Sequence, residues 1–87
     1  MRITWTASFR KDFLKLEEIT RKKVIKQIKL LCTDHTHPSL HLEGIINRRG
    51  LYSARIDKRY RISLEFTGND TILLRHVRDH DDLYLTP

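Results

Sequence analysis

The sequence predicts an α+β fold: an N-terminal strand, a helical hairpin, then an antiparallel three-strand meander in one sheet, with the helices on one face. Three observations predict it. Apolar residues recur at helical spacing up to about Cys32. After Gly50 they alternate with polar residues, the period of a strand with one buried face. Helix-like and strand-like segments do not interleave, which separates the pattern from βαβ units.

Each element follows in order. Arg2 to Trp5 reads as a short strand with Ile3 and Trp5 on one side. Ser8 can cap a helix whose stripe is Phe9, Phe13 and Leu16. Thr20 can cap a second helix through about Cys32, with Val24, Ile28 and Leu31 inward and Ile25 and Cys32 alongside. Its outer face carries Arg21, Lys22, Lys23, Lys26 and Lys29, read first as a solvated surface. Thr33 to Pro38 is a loop, and Leu40, Leu42, Ile45 and Ile46 should fold back on the core. Asn47-Arg48-Arg49-Gly50 and Thr67-Gly68-Asn69-Asp70 are turns between strand patterns. Ile72 to Val77 is a strongly apolar strand, and Asp79 to Leu85 a short tail or one helical turn.

The chain has 87 residues, the size of a single domain spanning 1–87. Cys32 is the only cysteine, so no internal disulfide or cysteine metal quartet is available. No apolar run suits a secretion signal or a membrane span, so the expected location is cytoplasmic, with no membrane partner. Lys and Arg total 17 against 11 acids, a formal net charge of +6. That excess suits a polyanionic partner, although it also serves solubility.

The strand pattern says where the charge lies. If Asp57-Lys58-Arg59 is a three-residue loop, Ile56 faces Tyr60 and Ala54 faces Ile62 on the core side. Arg55 then lies opposite Arg61, a repulsive pair that a bound polyanion would make attractive. Neutralisation by Glu65 or Asp57 is the alternative. The absence of glycine in that loop counts against the register. A four-residue turn at Thr67–Asp70 puts His76 opposite Arg61, with Arg78 extending from the same face. Arg55, Arg61, His76 and Arg78 would then share one open sheet face, with His80 and Tyr84 at its edge.

Such a face could cleave RNA without a metal or other cofactor. The ribose 2′-hydroxyl attacks the adjacent phosphate and the 5′-oxygen leaves. The step needs a base, cations for the phosphorane charge and an acid. Histidine can be base or acid, arginine is a fixed cation shaped for phosphate, and an aromatic ring can stack on a base. His80, Arg61, Arg78 and Tyr84 supply those types. Each has a plainer reading: His80 as a solvated or capping tail residue, and Tyr84 as a ring packed on the core. Tyr60 reads as core, and His35 and His37 as loop surface. His41 could approach the site from the loop side. Lys58 and Arg59, in the hairpin loop, add cations for RNA. Asp79, Asp81 and Asp82 beside His80 cannot all converge on a metal; they read as a solvated turn or a helix N-terminus.

The runs His37-Pro38-Ser39-Leu40-His41-Leu42, Leu51-Tyr52-Ser53-Ala54-Arg55-Ile56, Tyr60-Arg61-Ile62 and His80-Asp81-Asp82-Leu83-Tyr84 resemble the RelE/ParE toxin superfamily. The order of elements fits along nearly the whole chain. The resemblance implies the toxin of a type II toxin–antitoxin system. In its RelE-like branches this is a ribosome-dependent messenger RNA endonuclease bound in the 70S ribosomal A site. It further implies a cognate antitoxin in a heteromeric complex. Arg61 and Arg78 fall at positions of catalytic arginines, Tyr84 at a nucleotide-positioning aromatic, and His80 where some branches use a catalytic histidine. Arg55 falls at a basic position of the same strand. Some branches add an acidic general base, for which the sequence offers no assigned residue. The strand before Tyr60-Arg61 is poorer in lysine than in RelE itself. Two rivals remain: a ParE-type gyrase inhibitor without nuclease activity, and a non-toxic basic binding module.

Overall fold

The computed structural model describes residues 1–87. Along the chain run β1 (Arg2–Trp5), α1 (Ala7–Leu14), α2 (Glu18–Thr33), a 3₁₀ turn (Pro38–Leu40), β2 (Glu43–Gly44), β3 (Tyr52–Arg55), β4 (Tyr60–Thr67), β5 (Thr71–Asp79) and α3 (His80–Leu85). The strands form one sheet in the order β1-β5-β4-β3-β2, with β1 parallel to β5 and the other pairs antiparallel. The predicted α+β class, hairpin and meander are all present. The short strand β2, added by Glu43 opposite Ser53 and Gly44 opposite Tyr52, was not anticipated. No helix is long and apolar enough to cross a membrane.

One sheet face packs on the helical hairpin. Phe9, Val24, Leu31 and Leu40 meet Ala54, Ile56, Ile62, Leu64, Ile72, Leu74 and Val77 in a single apolar cluster. The stripe of α2 is narrower than its pattern suggested, because Ile25 is exposed and Gln27 takes an inner position. Gln27 can be buried because its amide donates to the carbonyls of Arg55, at 2.9 Å, and Ser39, at 3.5 Å. Leu40 and Ile45 fold back as expected, whereas Ile46 stays 86% exposed at the entry to the turn, where Asn47 adopts φ 63°.

Both expected helix caps move. Thr6, not Ser8, caps α1: its hydroxyl accepts from Phe9 N–H at 3.0 Å and donates to the Arg75 carbonyl at 2.8 Å. Pairing of β1 with β5 delivers Thr6 to that spot, so tertiary contact selects the cap. Helix α2 begins at Glu18 without a side-chain cap, and Thr20 lies buried inside it.

The first hairpin has the predicted register, with Arg55 opposite Arg61 and Ala54 opposite Ile62. Its loop needs no glycine, because no residue from 57 to 59 has positive φ. Instead the Asp57 carboxylate accepts the backbone N–H groups of Arg59, at 2.9 Å, and Tyr60, at 2.8 Å. This is the way an aspartate organises a turn without left-handed backbone.

The second hairpin corrects the expected register. Thr67 pairs with Thr71 and Leu64 with Leu74, but Ser63 pairs with His76 and Arg61 with Arg78. The Thr67–Thr71 pairing shifts the register by one residue from the expected one and a β-bulge at Arg75 shifts it by a second, so His76 faces Ser63 and not Arg61. The apolar spacing records the bulge: Ile72, Leu74 and Val77 are buried together, with the period slipping by one between the last two. Arg75 leaves the ladder for Glu65, at 2.9 Å.

Beyond the bulge β5 outruns β1, and its outer edge would lie bare. Asp12 of α1 closes it. Oδ2 accepts from Val77 N–H at 3.3 Å, Arg78 Nε at 3.1 Å and His76 Nδ1 at 3.0 Å. The Asp12 side chain is only 11% exposed, so removing it strands several donors. Asp12→Ala should lower unfolding free energy by about 2–3 kcal/mol, and Asp12→Asn by less, since the amide oxygen still accepts from Val77. Urea denaturation measures both; an Ala variant within error of wild type would refute the edge-closing role.

Partial burial pushes the Asp57 carboxyl up, but the Tyr60 and Arg59 N–H groups and Lys23 outweigh it and hold the group below its ordinary 3.8. A depressed folded value stabilises the protein at pH above the unfolded value and is lost as pH falls through the folded one. Acidification from pH 5 to pH 3 should therefore cost wild type more stability than it costs Asp57→Asn. Equal losses in parallel denaturation series would exclude this linkage.

Candidate functional site: the second sheet face

The face away from the helical hairpin carries two transverse rows, Arg55–Arg61–Arg78 and Ser53–Ser63–His76. It is not the open surface expected from sequence, because α3 lies across it. Leu83 is fully buried apart from the main apolar cluster. Tyr84 Oη and Ser53 Oγ share a hydrogen bond of 2.8 Å. Arg78 Nη1 donates to Thr86 Oγ1 at 2.8 Å, and Arg75 Nε to the Pro87 carbonyl at 3.4 Å. The tail is a helix for a local reason. Asp79 caps it by accepting Asp81 N–H, and Asp81 and Asp82 occupy its first turn, where the helix dipole favours anions. Arg59, paired with Asp79 at 3.1 Å, and the Asp81 N–H together hold that carboxyl below its ordinary range.

The four expected catalytic residues divide among three surroundings. His80 and Tyr84 lie edge to face with ring centroids 4.7 Å apart. With Glu43, Gly44, Ile45, Ile46 and Asn47 they line a cleft of about 600 Å³ between α3 and β2. Arg78 lies on the other side of α3, in a cleft of about 620 Å³ shared with Asp12, Lys15, Arg59 and Asp82. Arg61 lines neither; its Nη1 is buried without a hydrogen-bond partner, as is Ser63 Oγ.

The expected RNA-contacting residues also separate. His76 is 17% exposed and engaged by Asp12, so it is a packing residue of the sheet edge. Arg59 pairs with Asp79 and stacks over the Tyr60 ring at 5.0 Å, and Lys58 is exposed beside it. Arg55 and His41 meet in a third cleft, at the end of β3. The proposed neutralisers of the arginine row are occupied elsewhere, Glu65 by Arg75 and Asp57 by Lys23. Only Arg78, held by Asp12, has an acid partner in that row.

Two contributors escaped the sequence reading. Glu43 shares the His80–Tyr84 cleft because β2 joins the sheet. Its trace in the sequence is a lone acid followed by glycine inside an apolar stretch, the only Asp or Glu between Asp34 and Asp57. Asp12 is one charge on an amphipathic helix and carries no local sign of its role. Chemically, the His80 cleft brings together an imidazole, a carboxylate and an aromatic ring, the group types that acid–base chemistry and base stacking use. His80 Nδ1 approaches only the exposed Asp81 carboxylate, at 3.3 Å.

Comparison with known proteins agrees with this architecture. A YoeB/ParE toxin from Agrobacterium tumefaciens superposes with a TM-score of 0.78 at 19% identity, covering 92% of this chain and 99% of that one. YafQ from E. coli strain BL21(DE3) gives 0.79 at 13% identity, covering 97% and 99%. The RelB-RelE antitoxin-toxin complex from Methanococcus jannaschii gives 0.72 at 24% identity, covering 97% and 98%. At these identities the likeness is one of fold. No curated protein sequence matches the chain. The family model for the ParE toxin of the type II toxin–antitoxin system parDE matches residues 3–84. With nearly its whole length matched, the chain belongs to the ParE toxin family of type II toxin–antitoxin systems.

Proposed function

We propose that this toxin is an RNA-cleaving member of the RelE/ParE superfamily, acting on messenger RNA at the ribosome and silenced by a cognate antitoxin. One observation carries the reading: His80, Tyr84 and Glu43 line one cleft, at the margin of a sheet face bearing two unpaired arginines. In this mechanism a base removes the 2′-hydroxyl proton and the oxygen attacks the adjacent phosphorus. An acid then protonates the leaving 5′-oxygen. Glu43 and His80 divide the two proton transfers. Tyr84, anchored through Ser53, presents its ring to a base. Arg61 and Arg78 stabilise charge on the phosphorane once α3 shifts to admit the strand. Solved relatives captured as antitoxin–toxin complexes support the antitoxin partner.

A second reading is a gyrase inhibitor without nuclease chemistry. It is favoured by the ParE family match and by Arg78 being held in place by Asp12 and Thr86.

Controlled expression with mapping of messenger RNA ends separates the readings. Growth arrest with new 5′ ends at a fixed codon position, dependent on translation, is expected. Arrest with intact messages and DNA damage signalling would transfer the protein to the gyrase reading, and no arrest would leave a binding module.

His80→Ala and Arg61→Ala should each abolish arrest while circular dichroism shows a folded protein. Glu43→Gln should slow cleavage about a hundredfold, in the range of a lost acid or base. Full toxicity in all three variants would remove the acid–base mechanism.

A further inference from the structure

The sequence pattern sends Ile46 to the core, yet the structure leaves it 86% exposed, more than any other large apolar side chain. Single exposed apolar residues are common and carry no message by themselves. This one lines the cleft that holds Glu43, His80 and Tyr84. The backbone keeps it there. Arg48 N–H donates to the Ile45 carbonyl at 3.1 Å, closing a four-residue turn with Ile46 and Asn47 at its centre. Asn47 has φ 63° and Ile46 stays out of the left-handed region, the pattern of a type II turn, whose third residue favours Gly or Asn. A second turn follows, from Leu51 N–H to the Arg48 carbonyl, with Gly50 at φ 81° in the same place. Ile45 N–H bonds the Leu51 carbonyl at 2.9 Å, and the Ile45 side chain is buried. The loop is thus closed at its base and anchored by Ile45, and Ile46 projects from its corner.

The other wall of the cleft comes from α3. The Tyr84 ring is tied at its hydroxyl to Ser53, at 2.8 Å, and met edge to face by His80. Ser53 in turn pairs with Glu43 on β2, three residues before Ile46, so both walls are tied to the same point of the sheet. An aromatic wall and an aliphatic wall suit a flat ligand with apolar faces, and Glu43 and Asn47 offer polar groups to a polar rim. A nucleobase has that form. We infer that Ile46 contacts the substrate: it clamps a nucleobase flanking the scissile phosphate against Tyr84, and favours a purine there. The identity of the ligand rests on the RNA-cleaving reading above; the exposure and placing of Ile46 do not. A purine covers more of both walls than a pyrimidine, so the preference comes from buried area and stacking strength.

The test uses the full chain in a purified translation reaction. Messages differ only in the bases flanking the mapped cut, and cleavage rate is followed against toxin concentration. In parallel, a 2′-O-methyl tetranucleotide carrying 2-aminopurine, which has no 2′-hydroxyl to react, reports stacking by fluorescence quenching. Wild type should cut messages with a purine at one flanking position about tenfold faster than those with a pyrimidine. Ile46→Ser, at so exposed a position, should leave urea stability unchanged. It should raise the toxin concentration for half-maximal rate about tenfold, flatten the purine preference and weaken the quenching. Ile46→Leu should restore all three. Wild-type rates and undiminished quenching in Ile46→Ser would overturn the clamp. Equal rates on every flanking base by wild type would overturn the purine assignment. If wild type cuts no message, quenching that is lost in Ile46→Ser defeats the cleavage reading and leaves the clamp standing; no Ile46-dependent quenching defeats both.

Discussion

The Asp12 carboxylate is the contact on which the functional half of the molecule depends. A strand that outlasts its neighbour leaves backbone donors exposed at a sheet edge. Here β1 serves β5 as far as Leu74, Thr6 bonds at Leu74 and Arg75, and Asp12 takes over at Val77. One side-chain oxygen stands in for the missing strand. The same oxygen binds His76 and Arg78, so the stretch of β5 leading into α3 is fixed by a residue more than sixty positions earlier in the chain. The hairpin of helices thus fills the core on one face and also sets the end of the strand from which the C-terminal helix departs.

The charge distribution of the second face follows from the bulge. If the ladder ran on from Leu64–Leu74 without the bulge at Arg75, Val77 would lie opposite Arg61. With it, three arginines align across β3, β4 and β5. Like charges placed side by side weaken a sheet, and only Arg78 has its own carboxylate. Glu65 and Asp57, the acids best placed by sequence to relieve the row, are committed to Arg75 and Lys23. Arg61 also has a guanidinium nitrogen buried without a partner. That arrangement stores unfavourable energy at one place, and an anion reaching the row would release it.

What the sequence disclosed depended on range. Periods of 3.6 and 2 identified the helices and strands, because burial of one face acts on every residue of an element. The first hairpin register was legible, since a slip by one would have exposed Ala54 and Ile62. The second was not: the strands pair one residue further into the turn than expected, and a bulge disturbs the alternation once, leaving between Leu74 and Val77 a sign that reads equally as a continuous apolar run. Caps failed in the same way. Ser8 and Thr20 suit the local pattern, but contacts to β5 and the core chose Thr6 and an uncapped α2. His80, Tyr84 and the arginines were nameable by chemical type, whereas their division around α3 was not, because nothing local says that a six-residue tail will lie across a sheet. Glu43 entered the cleft only through the pairing of a two-residue strand.

The helix α3 makes the opposing demands on this face compatible. A sheet face bearing arginines and small serines buries little apolar surface, and without Leu83 it would have no apolar partner. Covering it stabilises a small protein, yet one Arg61 guanidinium nitrogen is left buried and Arg78 is held by Thr86. The contacts that keep α3 in place are few: buried Leu83 and Pro87, the Tyr84–Ser53 hydrogen bond, the His80 N–H bond to the Arg59 carbonyl, and arginine bonds to Thr86 and Pro87. A six-residue helix held by so small a set sits at the weak end of the range of local stabilities. The helix can therefore yield to a ligand that offers the arginines stronger partners, and in the RNA-cleaving function proposed above a phosphate strand would be that ligand. Occupied and unoccupied forms then differ in whether the positive row is closed by the protein's own C-terminus or by the polyanion its charge attracts.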